Sequence, residues 1–413
     1  MNLTGKIGNA LGVNRTVFSL SLARMADGIG NSILYVVIPL YVEKLPEKLL
    51  PMPKVFLIGI LISAYGFATA GLQPFMAALS DRIGYYKQII QAGLAFIALT
   101  TLGFIFADRY IDLLGLRIAQ GLGLAMEIPP TLALLELTTR KEKRGSAMGF
   151  FTTLRMVGMA TGPLLGGFLH DSLGFNAAFY AGAAVLFFAM IIVQAGVAYQ
   201  EPPSQEDVTC SEIVDLSIVN RQLLSAAIAT FLMASAFTLV TTLENQINSR
   251  LGIGAFGFGI VFSALMVGRL VFQVPMGHLS DRLGRKPFVA GGLVLMALTT
   301  ALLGETSSLY LFAIERFVQG LASAAIVAPA LAYAGDLAQE QSQCRRSRMM
   351  SLVTIGFGLG IAFGPLMAGA LAIISYRLPF LVDGGLCLVG VVIVFIFMGE
   401  TVERKPHRQK HSG

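Results

Sequence analysis

The sequence predicts an all-α membrane protein of twelve spans, arranged as two related halves of six. Three observations carry this expectation: too little charge for a soluble surface, twelve apolar runs of helical length, and a set of residues that recurs after about two hundred positions. Of 413 residues, 55% are hydrophobic and 13% charged, against about 25% charged in a soluble domain. Mean hydropathy is +0.72. The 45 glycines and 16 prolines suit membrane helices, where both are tolerated better than in water-soluble ones.

A helix needs ~20 mostly apolar residues to cross a ~30 Å hydrocarbon core. Such runs lie near 17–41, 54–79, 86–106, 110–136, 146–169, 175–199, 222–243, 256–279, 288–304, 308–336, 349–374 and 379–399. Backbone groups in lipid must pair internally, so the runs read as helices rather than open strands. The first is long enough to span and lacks a small-residue cleavage pattern, so it reads as a membrane helix and not a signal peptide.

Loop charges set the expected orientation. With both termini on one side, the loops of that side and the termini hold nineteen of the thirty Lys and Arg, and the other loops hold six: Lys44, Lys48, Lys54, Arg109, Arg250 and Arg377. The positive-inside rule then places both termini in the cytoplasm and the chain in a cell membrane. The remaining five arginines, Arg24, Arg117, Arg155, Arg269 and Arg316, fall inside spans. A charge there is costly, so each should face protein or a water-filled cavity. The positives are spread over short loops, which argues against nucleic acid as a partner.

The longest polar interruption, about Gln200 to Arg221, divides the chain into an N-terminal six-helix bundle (1–200), a cytoplasmic linker (201–220) and a C-terminal six-helix bundle with a short basic tail (221–413). The two bundles echo each other. Leu79-Ser-Asp-Arg-Ile-Gly84 returns as Leu279-Ser-Asp-Arg-Leu-Gly284, Arg117-Ile-Ala-Gln-Gly121 as Arg316-Phe-Val-Gln-Gly320, and Gly162-Pro163 as Gly364-Pro365. Glu136 and Asp336 end the corresponding spans 4 and 10. Duplicated bundles of this kind hold substrate between them near mid-membrane and rock about it.

These residues carry a resemblance. Gly277-His-Leu-Ser-Asp281-Arg282-Leu-Gly284-Arg285-Lys286 resembles the loop signature of the major facilitator superfamily. Gly149, Gly158, Gly162-Pro163 and Gly166-Gly167 match the spacing of the antiporter signature in its twelve-span drug:proton branch, and Leu113 to Gly121 resembles that branch's span-4 signature. The resemblance covers nearly the whole chain. It implies the major facilitator fold and proton-coupled export. It also implies that the loop Asp caps a helix of the opposite half, and that Arg285 pairs with Asp336 to hold the outward-open state. In the first half Asp81, Arg82 and Gly84 keep the pattern, but Ala77 and Tyr85 replace its first Gly and its last Arg. Glu136 must then find a hydrogen bond from Tyr85 or a cation such as Arg82 or Arg140.

Candidate residues follow from the spans. Arg24, Asp27 and Asn31 share one face of span 1, and Asp27 lies near mid-membrane, where an acid is a functional candidate by default. Its alternative role is a neutralised structural pair with Arg24. Glu127 in span 4 is either a partner of Arg155 in span 5 or a proton carrier; Arg24, Arg117 and Arg155 are the cations that could take part in proton coupling, and Asn31 and Gln120 read as cavity lining. Gly158, Gly162 and Gly166 share a face that lets backbones approach closely and could seal the halves together. Met266, Arg269, Gln273 and Met276 form a stripe on span 8 that reads as cavity lining or as core. Glu244, Glu305 and Asp383 near outer span ends read as surface groups.

The expected partners are a small-molecule substrate, protons and the lipid bilayer, and the expected state is a functional monomer without cofactor. Cys210, Cys344 and Cys387 have no paired spacing and suggest no metal site. No GxxxxGK[ST], HExxH or GxSxG motif is present, which argues against an ATP motor and against an enzyme. The function expected is export of small amphiphilic organic compounds in exchange for protons. An importer or symporter of the same fold is the alternative, and a membrane sensor or enzyme the more distant one.

Overall fold

The computed structural model describes residues 13–46, 52–140, 143–198, 220–338 and 343–401, with 343–348 described by backbone alone. Most of the expected linker and basic tail, with Lys6, Lys48, Lys141 and Cys210, lie outside the described residues. The described chain is helical: α1 (Arg15–Lys44), α2 (Lys54–Ile83), α3 (Tyr86–Gly103), α4 (Tyr110–Thr138), α5 (Arg144–Leu173), α6 (Phe175–Gly196), α7 (Arg221–Thr242), a short α8 (Glu244–Leu251), α9 (Ala255–Leu283), α10 (Arg285–Leu303), α11 (Leu309–Leu337), α12 (Gln343–Ala372) and α13 (Leu378–Phe397). Eleven are long and apolar enough to cross a membrane. The 30-residue α5 is as long as α1, but Arg155 and its run of glycines and threonines make it less apolar.

Asparagines open the first helix of each half. The side chains of Asn14 and Asn220 accept the N–H of Val17 at 2.8 Å and of Leu223 at 2.6 Å, each satisfying a donor that a helix start leaves orphaned. Gly84 ends α2 at φ 73°, a conformation glycine adopts without Cβ strain.

Packing repeats across the halves. In the first, α1 lies on α5 and α6, α2 on α4, and α3 on α4 and α6; in the second, α7 lies on α12 and α13, α9 on α11, and α10 on α11 and α13. The halves meet through α5 against α9 and α2 against α12. The face that carries the start of α1 and the end of α13 is called the terminal face below.

The glycine stripe has a different job from the one expected. A Cβ on Gly158, Gly162 or Gly166 would strike Met25, Ile29 or Ile33 of α1, in the same half. Gly356, Gly360 and Gly364 meet Ala227, Phe231 and Ser235 of α7 in the same way. These stripes bind each bundle internally. The contact between halves uses the neighbouring face: Pro163 and Gly167 of α5 against Gly259 and Ala255 of α9, and Pro365 and Gly369 of α12 against Gly59 and Val55 of α2. Gly149 faces open space.

All of those contacts lie toward the face opposite the termini. There Asp171, at the end of α5, accepts the N–H groups of Ala255 at 3.3 Å and Phe256 at 2.9 Å at the start of α9. Asn245 of α8 donates to the Pro39 carbonyl of α1 at 3.0 Å. Deeper, Ser263 donates to the Ala160 carbonyl at 2.5 Å, Tyr35 stacks on Phe262, and Phe67 meets Phe363 edge-on. Closer to the terminal face, Gly71 of α2, Gly149 of α5 and Gly358 of α12 have no neighbour for a Cβ. The halves are sealed at the opposite face and parted at the terminal one.

Candidate functional site

Three buried charges of α1 and α4 form one cluster. Arg24, Asp27 and Asn31 lie along one face of α1, and Glu127 reaches them from α4. Nη1 of Arg24 donates to Oδ2 of Asp27 at 2.6 Å and to Oε2 of Glu127 at 2.9 Å. Asn31 donates to the other Asp27 oxygen, and Tyr65 of α2 donates to Asn31 at 3.4 Å. Arg24, Asp27 and Glu127 are at most 3% exposed. Glu127 is therefore the ion-pair partner of Arg24. Arg155 stays within electrostatic reach of both acids but makes no ion pair among the described residues. One guanidinium thus answers two carboxylates.

A second arrangement is repeated in both halves. Arg117 of α4 donates to Gln120 at 3.2 Å, and Gln120 donates to Thr101 of α3 at 2.9 Å. At a shift of 199 residues, Arg316 of α11 donates to Gln319 at 2.8 Å, and Gln319 donates to Thr300 of α10 at 2.8 Å. Arg117 lies over the rings of Tyr65 and Phe104, and Arg316 over Phe237 and Phe262. Both arginines are buried, and Nε of each has no hydrogen-bond partner. Gln120, read from sequence as cavity lining, is fully buried and committed to this relay. Gln319 and the two threonines were not singled out, although the matching spacing of Arg117-x-x-Gln120 and Arg316-x-x-Gln319 was the signal that could have found them.

Arg269 of α9 is partly exposed. Its guanidinium lies 5.4 Å from the ring centre of Phe357 on α12, and its Nε is unpartnered, as is the Gln273 side-chain oxygen one turn on. Met266, on the same stripe, is buried in the apolar cluster with Tyr35, Phe237 and Phe262, so it belongs to the core.

The loop motifs sit at the terminal face. Arg285 donates from Nε to Asp336 at 3.3 Å and from Nη1 to Ser280 at 2.9 Å, and it pairs with Asp281 one turn back. Asp281 therefore turns to its own half; no contact with the opposite half appears among the described residues. Arg285 and Asp336 are paired while the terminal face is open, so their pairing is not tied to closure of that face. Glu400, beyond α13, accepts the N–H groups of Arg285 at 2.8 Å and Lys286 at 3.3 Å, and Thr401 donates to Asp336 at 2.8 Å. The start of α10 is thus capped by the chain's own distal segment. In the first half Tyr86 donates to Asp81 at 3.3 Å. Glu136 takes Arg144 at 2.6 Å rather than Tyr85, Arg82 or Arg140. A Cβ on Gly277 would meet Ala328 of its own half, and Arg82 and Arg282 close the last turns of α2 and α9.

Two of the acids read as surface groups are interior. Asp383 is fully buried in α13, accepting from Ser235 at 2.7 Å with its other oxygen unpartnered. Glu244, at the start of α8, is also fully buried. Burial holds its carboxyl well above the usual carboxylate range; a contact with Asn248 works against that, and the Asp171 charge adds to it. Glu305 is at the surface, paired with Arg377 at 2.7 Å. Among the described residues no cluster of His, Cys, Asp and Glu could hold a metal ion.

This geometry meets known proteins as follows. The family model described as Major Facilitator Superfamily matches residues 20–213 and 224–413. Over 350 residues the chain is 25% identical to the multi-drug resistance efflux pump PmrA of Streptococcus pneumoniae serotype 4, covering 84% of this chain and 86% of that one. Over 377 residues it is 27% identical to the multidrug resistance protein MdtG of Escherichia coli O9:H4, covering 88% and 90%. A bacterial homolog of the human lysosomal transporter Spinster, solved in an inward-facing and occupied conformation, superposes with a TM-score of 0.74 at 15% identity, over 92% of this chain and 95% of that one. That likeness is one of fold.

Proposed function

The chain belongs to the Major Facilitator Superfamily, and we propose that it exports a small amphiphilic organic compound in exchange for protons, with the terminal face in the cytoplasm. It is a multi-pass membrane transporter and not an enzyme. Relatives named as multidrug efflux pumps support export. The observation that carries proton coupling is the Asp27–Arg24–Glu127 cluster. Two carboxylates share one guanidinium in a water-poor core, so one of them can hold a proton without leaving a charge unanswered. Arg155 on α5 sits within reach of the same cluster. Rocking of the halves moves α5 against α9, and a change in that cation's distance alters which protonation state is favoured. Arg117 and Arg316 brace the cores of the two bundles through their Gln–Thr relays.

The test uses the full chain in proteoliposomes under an imposed pH gradient. Wild-type export collapses with a protonophore and needs no ATP. Asp27→Asn retains substrate binding and loses gradient-driven export, and Glu127→Gln does the same if it is the carrier. Full export by both variants removes the cluster from the coupling step, and a wild type indifferent to the protonophore removes proton coupling altogether.

Symport is a second reading, and one observation favours it: among the described residues Arg269 of the second half makes no ion pair, and its Nε has no hydrogen-bond partner.

A further inference from the structure

The two helices that join the halves run past each other in a regular register. Gly167 meets Ala255, Pro163 meets Gly259, and Ala160 meets Ser263. One more turn toward the terminal face brings Arg155 of α5 opposite the stretch of α9 that ends in Arg269. The two guanidiniums are close enough to repel each other. Neither makes an ion pair among the described residues, both are partly exposed, and both lie where the seal gives way to open space. Among the described residues no acid of the second half pairs with Arg269: Asp383 is held by Ser235 and Glu315 by Thr306 at 2.6 Å. Two cations from opposite halves without an ion-pair partner among the described residues, Arg155 balanced only at a distance by Asp27 and Glu127, cost free energy that a bound anion would recover.

We propose that Arg155 and Arg269 together grip the oxyanion head (carboxylate, sulfonate or phosphonate) of an organic substrate, with its apolar body against Phe357. A guanidinium fork matches such oxyanions with two parallel hydrogen bonds. The Arg269–Phe357 contact already presents the cation and a ring face side by side, and the unpartnered Gln273 oxygen can accept from a hydroxyl or amide of the bound molecule. The inference rests on the cavity between the halves being the transport site, and not on the sense of exchange proposed above.

The groups around Asp27 are Arg24, Asn31 and Tyr35 on α1, Tyr65 on α2, Glu127 on α4 and Arg155 on α5. An anion on Arg155 cancels the field that this cation exerts on Asp27 and Glu127. Proton and anion then bind in mutual support, whereas exchange requires that they oppose each other.

The experiment uses the purified full chain and two fluorescent probes of one shape, naphthalene-1-sulfonate and 1-naphthyltrimethylammonium. The chain contains no tryptophan, so naphthalene emission is read without that background. Binding is followed by fluorescence and by the unfolding midpoint at pH 6 and pH 8. The sulfonate binds and raises the midpoint, more at pH 6, and the ammonium does not. Arg155→Gln and Arg269→Gln each weaken the sulfonate by about tenfold or more. Arg155→Lys and Arg269→Lys keep part of the affinity, which separates loss of the grip from loss of the fold. Displacement of the sulfonate by dihexanoyl phosphatidylglycerol assigns the natural head to a lipid; no displacement assigns it to a soluble acid. Preference for the ammonium, or sulfonate binding unchanged in both Gln variants, overturns the proposal. Sulfonate binding in a chain whose transport ignores the protonophore leaves the anion site standing and removes only the proton coupling.

Discussion

Replacing Asp171 by alanine removes the one carboxylate that caps the start of α9 from the opposite half. Its oxygens accept the N–H groups of Ala255 and Phe256 at 3.3 and 2.9 Å, a bond set that exists only while the opposite face is closed. Loss of a helix N-cap costs about 0.5–2 kcal/mol, and loss of a negative charge at a helix N-terminus about 0.3–1 kcal/mol more. The sum, about 1–3 kcal/mol, shifts a two-state ratio by about 5- to 150-fold. Asp171→Asn keeps the acceptor and loses the charge, so it should shift the ratio by the smaller share. The measurement is the distance between spin labels at Leu173 on α5 and Ser249 on α8, in a chain freed of Cys210 and Cys344. The wild type gives a short distance for the closed opposite face. Asp171→Ala adds a longer population, and Asp171→Asn falls between. An unchanged distribution in Asp171→Ala would mean that the cap contributes nothing to closure and that the apolar contacts of Gly167 and Gly259 hold the seal alone.

Asp336→Asn should damage transport more than Glu136→Gln, because Arg285 is largely buried and holds Asp336, while Glu136 and Arg144 form a half-exposed pair worth about 0–1 kcal/mol; equal losses in vesicle transport would contradict the asymmetry. Glu244→Gln should flatten the pH dependence of the unfolding midpoint. The folded carboxyl titrates above its unfolded value, so the wild type is most stable at low pH and loses stability as pH rises through the raised value, the unfolded chain ionising first. A scan from pH 5 to 8 in which wild type and variant run parallel would rule that out.

The repeat was legible in sequence because its markers, the loop motif and the Arg-x-x-Gln pairs, must occupy equivalent places in two bundles of one shape. Spans were legible because lipid leaves the backbone no alternative to a helix. Partner choice inside the bundle was not. Glu127 lies between Arg24 and Arg155, and which of them it meets depends on how α1, α4 and α5 rotate about their axes, which spacing along one helix does not state. The glycine stripe showed that a close approach occurs, but a small-residue face is blind to whose backbone approaches. That Glu136 would need a nearby cation was legible, but that the cation is Arg144 was not, for a similar reason: Arg144 begins the next helix after a turn whose shape the residues there do not encode. Asp383 and Glu244 looked superficial because they stand near span ends. Distance along a helix measures depth in the membrane and says nothing of whether a neighbouring helix covers the side chain. The Glu400 and Thr401 contacts fell beyond the last span, where no periodicity signals them.

The sense of coupling can be read from charge movement. If the substrate is a monovalent organic anion and one proton moves the other way, both transfers carry positive charge in the same direction, two elementary charges per cycle. Each charge across 100 mV is worth about 2.3 kcal/mol, so 100 mV would change the accumulation ratio by about 4.6 kcal/mol, roughly three decades. If anion and proton travel together, the cycle carries no net charge and voltage leaves the ratio unchanged. An anion held by Arg155 and Arg269 corresponds to the second outcome, the symport reading set beside the proposed exchange, because its effect on the Asp27–Glu127 pair assists proton binding. Proteoliposomes loaded with naphthalene-1-sulfonate, clamped by valinomycin and potassium at a series of potentials with no pH difference, separate the two. A ratio indifferent to voltage but driven by an imposed pH difference supports joint carriage. A ratio that climbs steeply with voltage would mean that proton and anion oppose each other, and that Arg155 is not the link between them.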